Sequence, residues 1–250
     1  MPGACSSCTA SSRRPPVVDG VSGLSPLESE ALLISLRVAL TSVLVSLPFG
    51  LLVAWLLARR NFYGKGLLNA LVHLPLVLPP VVVGYLLLLL LGRQGPLGRW
   101  LFESFGISLP FTWQGAALAA AVMAFPLMVR AMRLSLEAVD QRLEAAARTL
   151  GAGPTGVFLS VTLPLMAPGI VVGVLLAFAR SLGEFGATIT FAANIPGETR
   201  TLPLALYSLI QTPGGEAAAA RLMLLSLLLS FVALAASELV ARRLHAANKG

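Results

Sequence analysis

Long stretches without a charged residue dominate the pattern of hydrophobic and polar positions along this chain. The longest lie at 38–58, 66–92, 104–129, 149–179 and 222–237. Because a helix needs about 20 apolar residues to cross the hydrocarbon of a bilayer, these stretches predict five membrane spans. The spans are expected at about 32–58, 67–92, 114–136, 165–188 and 217–241. A shorter amphipathic stretch at 201–210 predicts a re-entrant or interfacial piece, and a sixth span built around it remains the alternative.

The composition supports a membrane protein. Of the 250 residues, 56% are hydrophobic and only 12% are charged, whereas soluble domains carry about 25% charged residues. So little polar surface cannot cover a water-soluble globule of this size. The expected fold is therefore all-α, a polytopic bundle in the lipid bilayer. We place a polar tail at 1–30, the transmembrane domain at 31–243 and a short tail at 244–250. Cys5 and Cys8 in the first tail form a lone CxxC pair, which predicts no metal site.

The excess of positive charge orients the chain. The formal net charge is +7, and lysine and arginine in short loops mark the cytoplasmic side of membrane proteins. Cations cluster at 59–66, at 130–148 and after 241, which places these three segments inside and 93–113, 189–216 and the N-terminus outside. Trp100, Phe102, Phe111 and Trp113 then fall near the outer interface, where aromatic rings are favoured. The charge serves topology, so no nucleic-acid partner is expected.

Helix breakers are concentrated in spans two, three and four. They are Pro75, Pro79, Pro80, Gly84, Pro126, Pro164, Pro168, Gly169 and Gly173. A proline inside a helix frees backbone polar groups, and at membrane depth these are tolerated only against protein or a water-filled cavity. We therefore expect spans two to four to surround a pathway, with span one more peripheral. The alternative is that prolines are simply common in membrane helices.

The most informative segment is the cytoplasmic insert at 137–164, called the coupling loop below. Residues 137–150 favour a helix that Gly151 ends. Pro154 should open a second short helix at 155–162, which Leu163 and Pro164 end. Two short helices at a sharp angle on an exposed face predict a docking element.

Seven residues of this loop carry a family resemblance. They are Glu144, Ala145, Ala146, Leu150, Gly151, Leu163 and Pro164. The Glu-Ala-Ala triplet, the glycine seven residues after its glutamate and the following Leu-Pro resemble the EAA loop of binding-protein-dependent ABC-importer permeases. The resemblance implies the type I ABC-importer permease fold. It also implies that these residues form a coupling helix, which docks on a cytosolic ATPase subunit.

A second resemblance concerns the substrate. Residues 180–207 and the turn at 211–216 closely resemble permeases of molybdate transporters. Sulfate-transporter permeases share the part at 183–187, so a sulfate or thiosulfate permease is the alternative. The resemblance implies import of molybdate and tungstate across a bacterial or archaeal cytoplasmic membrane. The implied partners are a second copy of the permease, two ATP-binding subunits and an extracytoplasmic molybdate-binding protein that contacts Asn194, Pro196 and Gly197.

The residues available for catalysis indicate a transport subunit and not an enzyme. The chain has only His73 and His245 as histidines and carries no phosphate-binding Gly-x-x-x-x-Gly-Lys-[Ser/Thr] motif, so ATP and magnesium are expected on the partner ATPase. No cofactor and no metal is expected on this chain.

Four residues near the end of span four are candidates for the pathway or for packing: Arg180, Ser181, Glu184 and Thr188. Arg180 and Glu184 are spaced for an i,i+4 ion pair, and a nearly neutral pair favours packing over contact with an anion. A secondary anion transporter, the remaining alternative, would need a carboxylate deep in a span, and Glu184 is its candidate.

Overall fold

The computed structural model describes residues 25–247, and every regular element in that range is helical. The helices are α1 (Pro26–Arg59), α2 (Lys65–Val77), α3 (Pro80–Leu91), α4 (Pro96–Phe105), α5 (Trp113–Ala138), α6 (Gln141–Thr149), α7 (Pro154–Val157), α8 (Leu163–Leu182), α9 (Gly186–Phe191), α10 (Leu202–Ile210) and α11 (Glu216–Ala247). A π-helical turn, Phe158–Thr162, joins α7 to α8 without a break. The all-α prediction is confirmed. Cys5, Cys8 and Lys249 lie outside the described residues.

Within residues 25–247, four helical segments are long and apolar enough to cross a bilayer. They are Pro26–Arg59, Trp113–Ala138, Pro154–Leu182 and Glu216–Ala236. α2 and α3 are each too short to cross a bilayer, but together they are long and apolar enough to do so. α1 begins at Pro26, within the segment expected to be tail, because Ser25 and Glu28 form a reciprocal capping box. α11 likewise continues past the expected boundary to Ala247.

The second span is not one continuous helix, which corrects the expectation for 67–92. The chain direction bends by 117° from α2 to α3, at the break formed by Leu78 and Pro79. Leu78 and Pro79 have extended ψ values of 143° and 134°. The residue before a proline is pushed out of the helical region, so the consecutive prolines 79 and 80 break the span twice over. Pro80 then opens α3, a position where its missing N–H costs nothing.

α5 forms the centre of the bundle. In the most apolar stretch of α5, 67% is buried inside the protein, compared with 33% of that stretch in α1 and 28% in the span that contains α8. Small residues bring the neighbours close: a Cβ on Gly50 of α1 would lie 3.0 Å from Met128 Sδ, and one on Gly173 of α8 would lie 3.0 Å from the Met128 carbonyl oxygen. In membranes such close backbone approach supplies much of the packing energy.

α1 is part of this centre, and the expectation that it would be peripheral is wrong. Val43, Ala54 and Leu57 of α1 are buried in the same cluster as Met128 and Met132 of α5. The hydropathy of α1 could not show this, because lipid and a packed protein interior are equally apolar surroundings.

Candidate functional site: the coupling loop and the broken helices

The coupling loop contains a break that the sequence analysis did not anticipate. α5 ends at Ala138, Val139 turns to extended backbone, and α6 starts at Gln141. Asp140 caps α6, and its Oδ1 accepts a hydrogen bond from the Arg142 N–H at 2.9 Å. The expected single helix over 137–150 is therefore two helices, because an aspartate at this position stabilises a new N-terminus better than a helix interior.

Gly151 ends α6 as predicted. Its φ is +90°, in the left-handed region that side chains with a Cβ rarely adopt. Apart from the two adjacent residues, no atom of the described part of the chain lies within 4 Å of a Cβ built on Gly151, so the turn depends on backbone conformation and not on close packing.

Leu163 and Pro164 do not end a helix, which is a further correction. They lie at the start of α8, and the helical chain runs on from Pro154 to Leu182. The π turn before Pro164 explains how the helix continues through this proline. A proline lacks the N–H of the regular helical hydrogen bond, and its ring crowds the carbonyl four residues earlier. The wider π turn relieves both constraints. The second half of the coupling loop is thus the first part of a membrane span.

Glu144 anchors the coupling loop from the inside. It is only 8% exposed, and its Oε1 accepts hydrogen bonds from Arg59 Nη2 at 2.8 Å and from Thr162 Oγ1 at 3.0 Å. Arg148 Nη2 lies 3.7 Å from Oε2. One carboxylate therefore connects α6 to the end of α1 and to the π turn. Arg59 and Thr162 are functional candidates that the sequence analysis missed, since Arg59 carried only a topological signal.

α6 presents two different faces. Leu143, Ala146 and Leu150 are exposed and share one helical stripe, and Leu150 is 89% exposed. Ala145, although exposed, lines a cleft on the opposite side together with Gln141. Of the seven EAA residues, Ala146, Leu150 and Gly151 thus lie on the outer surface of the loop, and Glu144 lies inside it.

The two interrupted helices pack against each other. A Cβ built on Gly84 of α3 would lie 2.6 Å from the Ala187 carbonyl oxygen of α9, and one on Gly186 would lie 2.7 Å from Pro80 Cβ. The chain also breaks at Gly183, so α8 stops at Leu182 and not at the expected residue 188. Both breaks therefore meet in one region, where freed backbone groups are shielded by protein.

Arg180 and Glu184 form the expected ion pair beside this junction. Arg180 Nη1 lies 2.6 Å from Glu184 Oε2, and the Glu184 side chain is 2% exposed. The other oxygen, Oε1, accepts a hydrogen bond from the Ala187 N–H at 2.8 Å. The carboxylate thus occupies the N-terminal end of α9 and has its charge balanced locally. An arrangement of this kind holds the helix break in place.

Ser181 and Thr188, the other two candidates in this region, are buried. Ser42 Oγ of α1 donates to Ser181 Oγ at 2.8 Å, and Thr188 is 1% exposed. Both residues pack between helices in the single chain.

The segment after α9 holds the three residues expected to contact a binding protein. Asn194 is engaged internally, because its Nδ2 donates to Ser208 Oγ at 2.6 Å and its Oδ1 accepts from Arg200 Nε at 3.1 Å. Pro196 and Gly197 form an exposed tip, with φ +78° at Gly197 and a hydrogen bond from its N–H to Glu30. Asn194 therefore stabilises the conformation of this loop by internal hydrogen bonds, and Pro196 and Gly197 form the part of the loop that is exposed. Within residues 25–247, no group of three or more His, Cys, Asp and Glu is placed to hold a metal ion.

Comparisons with known proteins agree with this architecture. The chain is 63% identical over 219 residues to "Molybdenum transport system permease protein ModB" of Escherichia coli K12, covering 88% of this chain and 96% of that protein. It is 58% identical over the same length to the Haemophilus influenzae protein of that name. "Sulfate transport system permease protein CysT" of Escherichia coli is 42% identical over 73% of this chain and 67% of that protein.

Solved structures share the fold at low sequence identity. A bacterial ABC transporter involved in import of the acidic polysaccharide alginate matches with a TM-score of 0.71 at 16% identity, covering 88% of this chain and 80% of that chain. The MetNI methionine ABC transporter matches with a TM-score of 0.61 at 17% identity, covering 87% and 94%. The predicted type I ABC-importer permease fold is confirmed. Residues 46–246 match the family described as "Binding-protein-dependent transport system inner membrane component", and the chain belongs to that family.

Proposed function

We propose that this chain is the permease subunit of an ABC importer that carries molybdate, and also tungstate, inward across the cytoplasmic membrane. The observation that carries the proposal is the 63% identity to the Escherichia coli molybdenum permease, which extends over 96% of that protein. The weaker and shorter match to the sulfate permease supports the same choice. A sulfate permease remains the alternative that the experiment below must exclude.

The proposed complex contains two copies of this chain, two cytosolic ATP-binding subunits and an extracytoplasmic molybdate-binding protein. The chain itself is proposed to be non-catalytic, with ATP and magnesium held by the ATP-binding subunits. The exposed stripe Leu143, Ala146 and Leu150 supports docking of an ATPase subunit, because an apolar stripe on an amphipathic helix fits a groove on a partner. The exposed tip at Pro196 and Gly197 supports contact with the binding protein on the other side.

Motion of the coupling loop has two physical routes into the membrane. The first is the ion pair between Glu144 and Arg59, which connects α6 to the cytoplasmic end of α1. The second is the continuous helical segment from Pro154 to Leu182, which carries movement of the loop directly into α8. Rocking of α1 and α8 against the central α5 would then open the pathway on alternate sides. The rigid, close packing of these helices transmits such shifts as discrete steps.

The test is ATPase activity of the assembled complex in liposomes, stimulated by the cognate binding protein loaded with molybdate, tungstate or sulfate. We expect stimulation and uptake with molybdate and tungstate, and little with sulfate. Stimulation by sulfate alone would establish the sulfate permease instead. Uptake that follows an ion gradient and needs no ATP would show a secondary transporter and overturn both.

A further inference from the structure

Four arginines surround a cleft on the inner side of the coupling loop. The cleft has a volume of about 650 Å³ and lies between the end of α1 and the short helices α6 and α7. Its charged lining residues are Arg59, Arg60, Arg142, Arg148 and Glu144. Four guanidinium groups face one carboxylate, so the cleft, called the basic cleft below, has a marked excess of positive charge. Such a site favours an anionic group.

The single carboxylate of the basic cleft does not neutralise all of its arginines. Glu144 forms ion pairs with Arg59 and, more weakly, with Arg148, and it accepts a hydrogen bond from Thr162. The Nε of Arg59 is buried and has no hydrogen-bond partner among the described residues. Arg60 lies over the Trp55 ring, with its guanidinium carbon 5.2 Å from the ring centroid. Arg60 and Arg142 form no ion pair among residues 25–247, so their guanidinium groups remain available to a phosphate.

The basic cleft continues directly into an apolar groove of about 540 Å³. The two share Trp55, Arg60, Pro154 and Phe158. The groove is otherwise lined mainly by apolar side chains: Pro48, Leu51, Leu52 and Leu159, with Thr155 at its rim. Pro48 lies twelve helical residues before Arg60, which corresponds to about 18 Å along α1 toward the middle of the bilayer. Charge at the cytoplasmic surface and an apolar groove leading into the membrane match the two ends of a phospholipid.

We infer that this composite site binds an anionic phospholipid. The phosphate lies in the basic cleft against Arg60 and Arg142, and an acyl chain follows the groove along Leu52 and Pro48. Anionic headgroups are attracted to basic pockets at the cytoplasmic side of membrane helices, and the arginines gain bidentate partners for their guanidinium groups. The lipid would brace α6 against α1 at the place where Glu144 and Arg59 already connect them.

The site adjoins the surface that would meet an ATPase subunit but does not include it. On α6, Gln141, Ala145 and Arg148 line the basic cleft from one side, and Arg142 lines it from the edge next to Ala146. Leu143, Ala146 and Leu150 lie on another stripe of the loop, and none of them lines the cleft. A bound lipid and a docked ATPase can therefore coexist. The inference concerns lipid binding alone, and its failure would leave the proposed permease function untouched.

Fluorescence quenching by brominated lipids tests the inference. The chain has three tryptophans, so the substitutions Trp100→Phe and Trp113→Phe leave Trp55, beside the site, as the only reporter. We would reconstitute this full-length form in phosphatidylcholine bilayers and add brominated phosphatidylglycerol or brominated phosphatidylcholine. We expect a preference for phosphatidylglycerol of about 25-fold, since Arg60 and Arg142 each contribute about fivefold.

Two sets of variants define the source of the preference. Arg60→Gln with Arg142→Gln should reduce it to about twofold or less, whereas Arg60→Lys with Arg142→Lys should retain most of it. The matched control is Arg93→Gln with Arg99→Gln, which removes two arginines from the opposite side of the membrane and should change nothing. The preference for phosphatidylglycerol over phosphatidylcholine should persist after assembly with the ATPase subunits.

Several outcomes would overturn the inference. Equal quenching by the two brominated lipids in the parent would do so without any variant. A preference that survives the glutamine variant would reflect general surface charge, not this site. Loss of the preference on adding millimolar inorganic phosphate would indicate a free-anion site, and its loss on ATPase assembly would assign the cleft to a subunit interface.

Discussion

Arg59 and Glu144 are 85 residues apart in the sequence, yet their side chains meet at 2.8 Å with exposures of only 11% and 10%. The pair connects the end of the first membrane helix to the short helix α6 of the coupling loop. Because both charges are largely removed from water, their partnership determines where the loop sits. The glutamate of the EAA motif acts here as an internal anchor in the single chain.

Removing one member of this pair should uncouple the complex. Glu144→Gln leaves Arg59 poorly compensated and should lower the free energy of unfolding by about 3 kcal/mol, at the lower end for buried pairs because the cleft is open to solvent. We expect the variant to insert normally, with reduced molybdate uptake per ATP hydrolysed. Parallel measurement of uptake and ATPase activity in liposomes tests this.

The control for Glu144 is Glu137→Gln, which breaks a more exposed pair with Arg133 and should cost no more than about 0.5 kcal/mol. The double variant Arg59→Gln with Glu144→Gln should recover part of the stability lost in the single variant. A double variant with strictly additive losses would show that the two residues do not act together.

Gly151 should be sensitive to any side chain because of its backbone conformation. Gly151→Ala places a Cβ at φ +90° and should cost about 1 kcal/mol, distorting the end of α6 and reducing coupling. Gly151→Asn should retain more activity, since asparagine tolerates this conformation better. Gly153→Ala is the matched control, because Gly153 has a φ of −67° and equally open surroundings. Equal transport by the alanine variants at 151 and 153 would refute the argument.

Gly84 should tolerate no larger residue, for a different reason. In Gly84→Ala the new Cβ would lie 2.6 Å from the Ala187 carbonyl oxygen and 2.9 Å from Thr190 Cβ. Such overpacking costs about 1–3 kcal/mol and would separate α3 from α9. A fall in the thermal midpoint in detergent, with loss of uptake, is the expected result. Gly66→Ala, where nothing lies within 4 Å, should behave as the parent, and a stable, active Gly84→Ala would contradict the packing.

Glu184 should matter for structure and not for substrate choice. Glu184→Gln removes the ion pair with Arg180 and should destabilise the protein by about 2 kcal/mol. The relative uptake of molybdate, tungstate and sulfate should remain unchanged in the fraction that folds. Glu103→Gln, in a pair exposed at 71% and 60%, serves as the control and should leave the thermal midpoint unaltered. A changed order of substrates in Glu184→Gln would place this residue in the pathway.

The elements that were predictable depended on local properties of the sequence. Apolar length located the spans, and the spacing of Glu144, Gly151 and Leu163 located the coupling loop. The turn at Gly151 followed from residue chemistry alone. The errors came where two local rules competed: Pro164 was expected to end a helix, but the π turn before it removed the conflict. Asp140 caps α6 inside a run whose residues otherwise favour one continuous helix, so a local capping preference divides it.

The sequence by itself determined that the chain spans a membrane and which family it belongs to, and it predicts which side the loops face. These properties depend on the transfer of individual segments from water to lipid and on short motifs. Only the tertiary structure decided that α5 is central, that the breaks in the second and fourth spans meet, and that Arg59 is the partner of Glu144. Those relationships join residues far apart in the chain, and hydropathy cannot distinguish a helix face that packs on protein from one that packs on lipid.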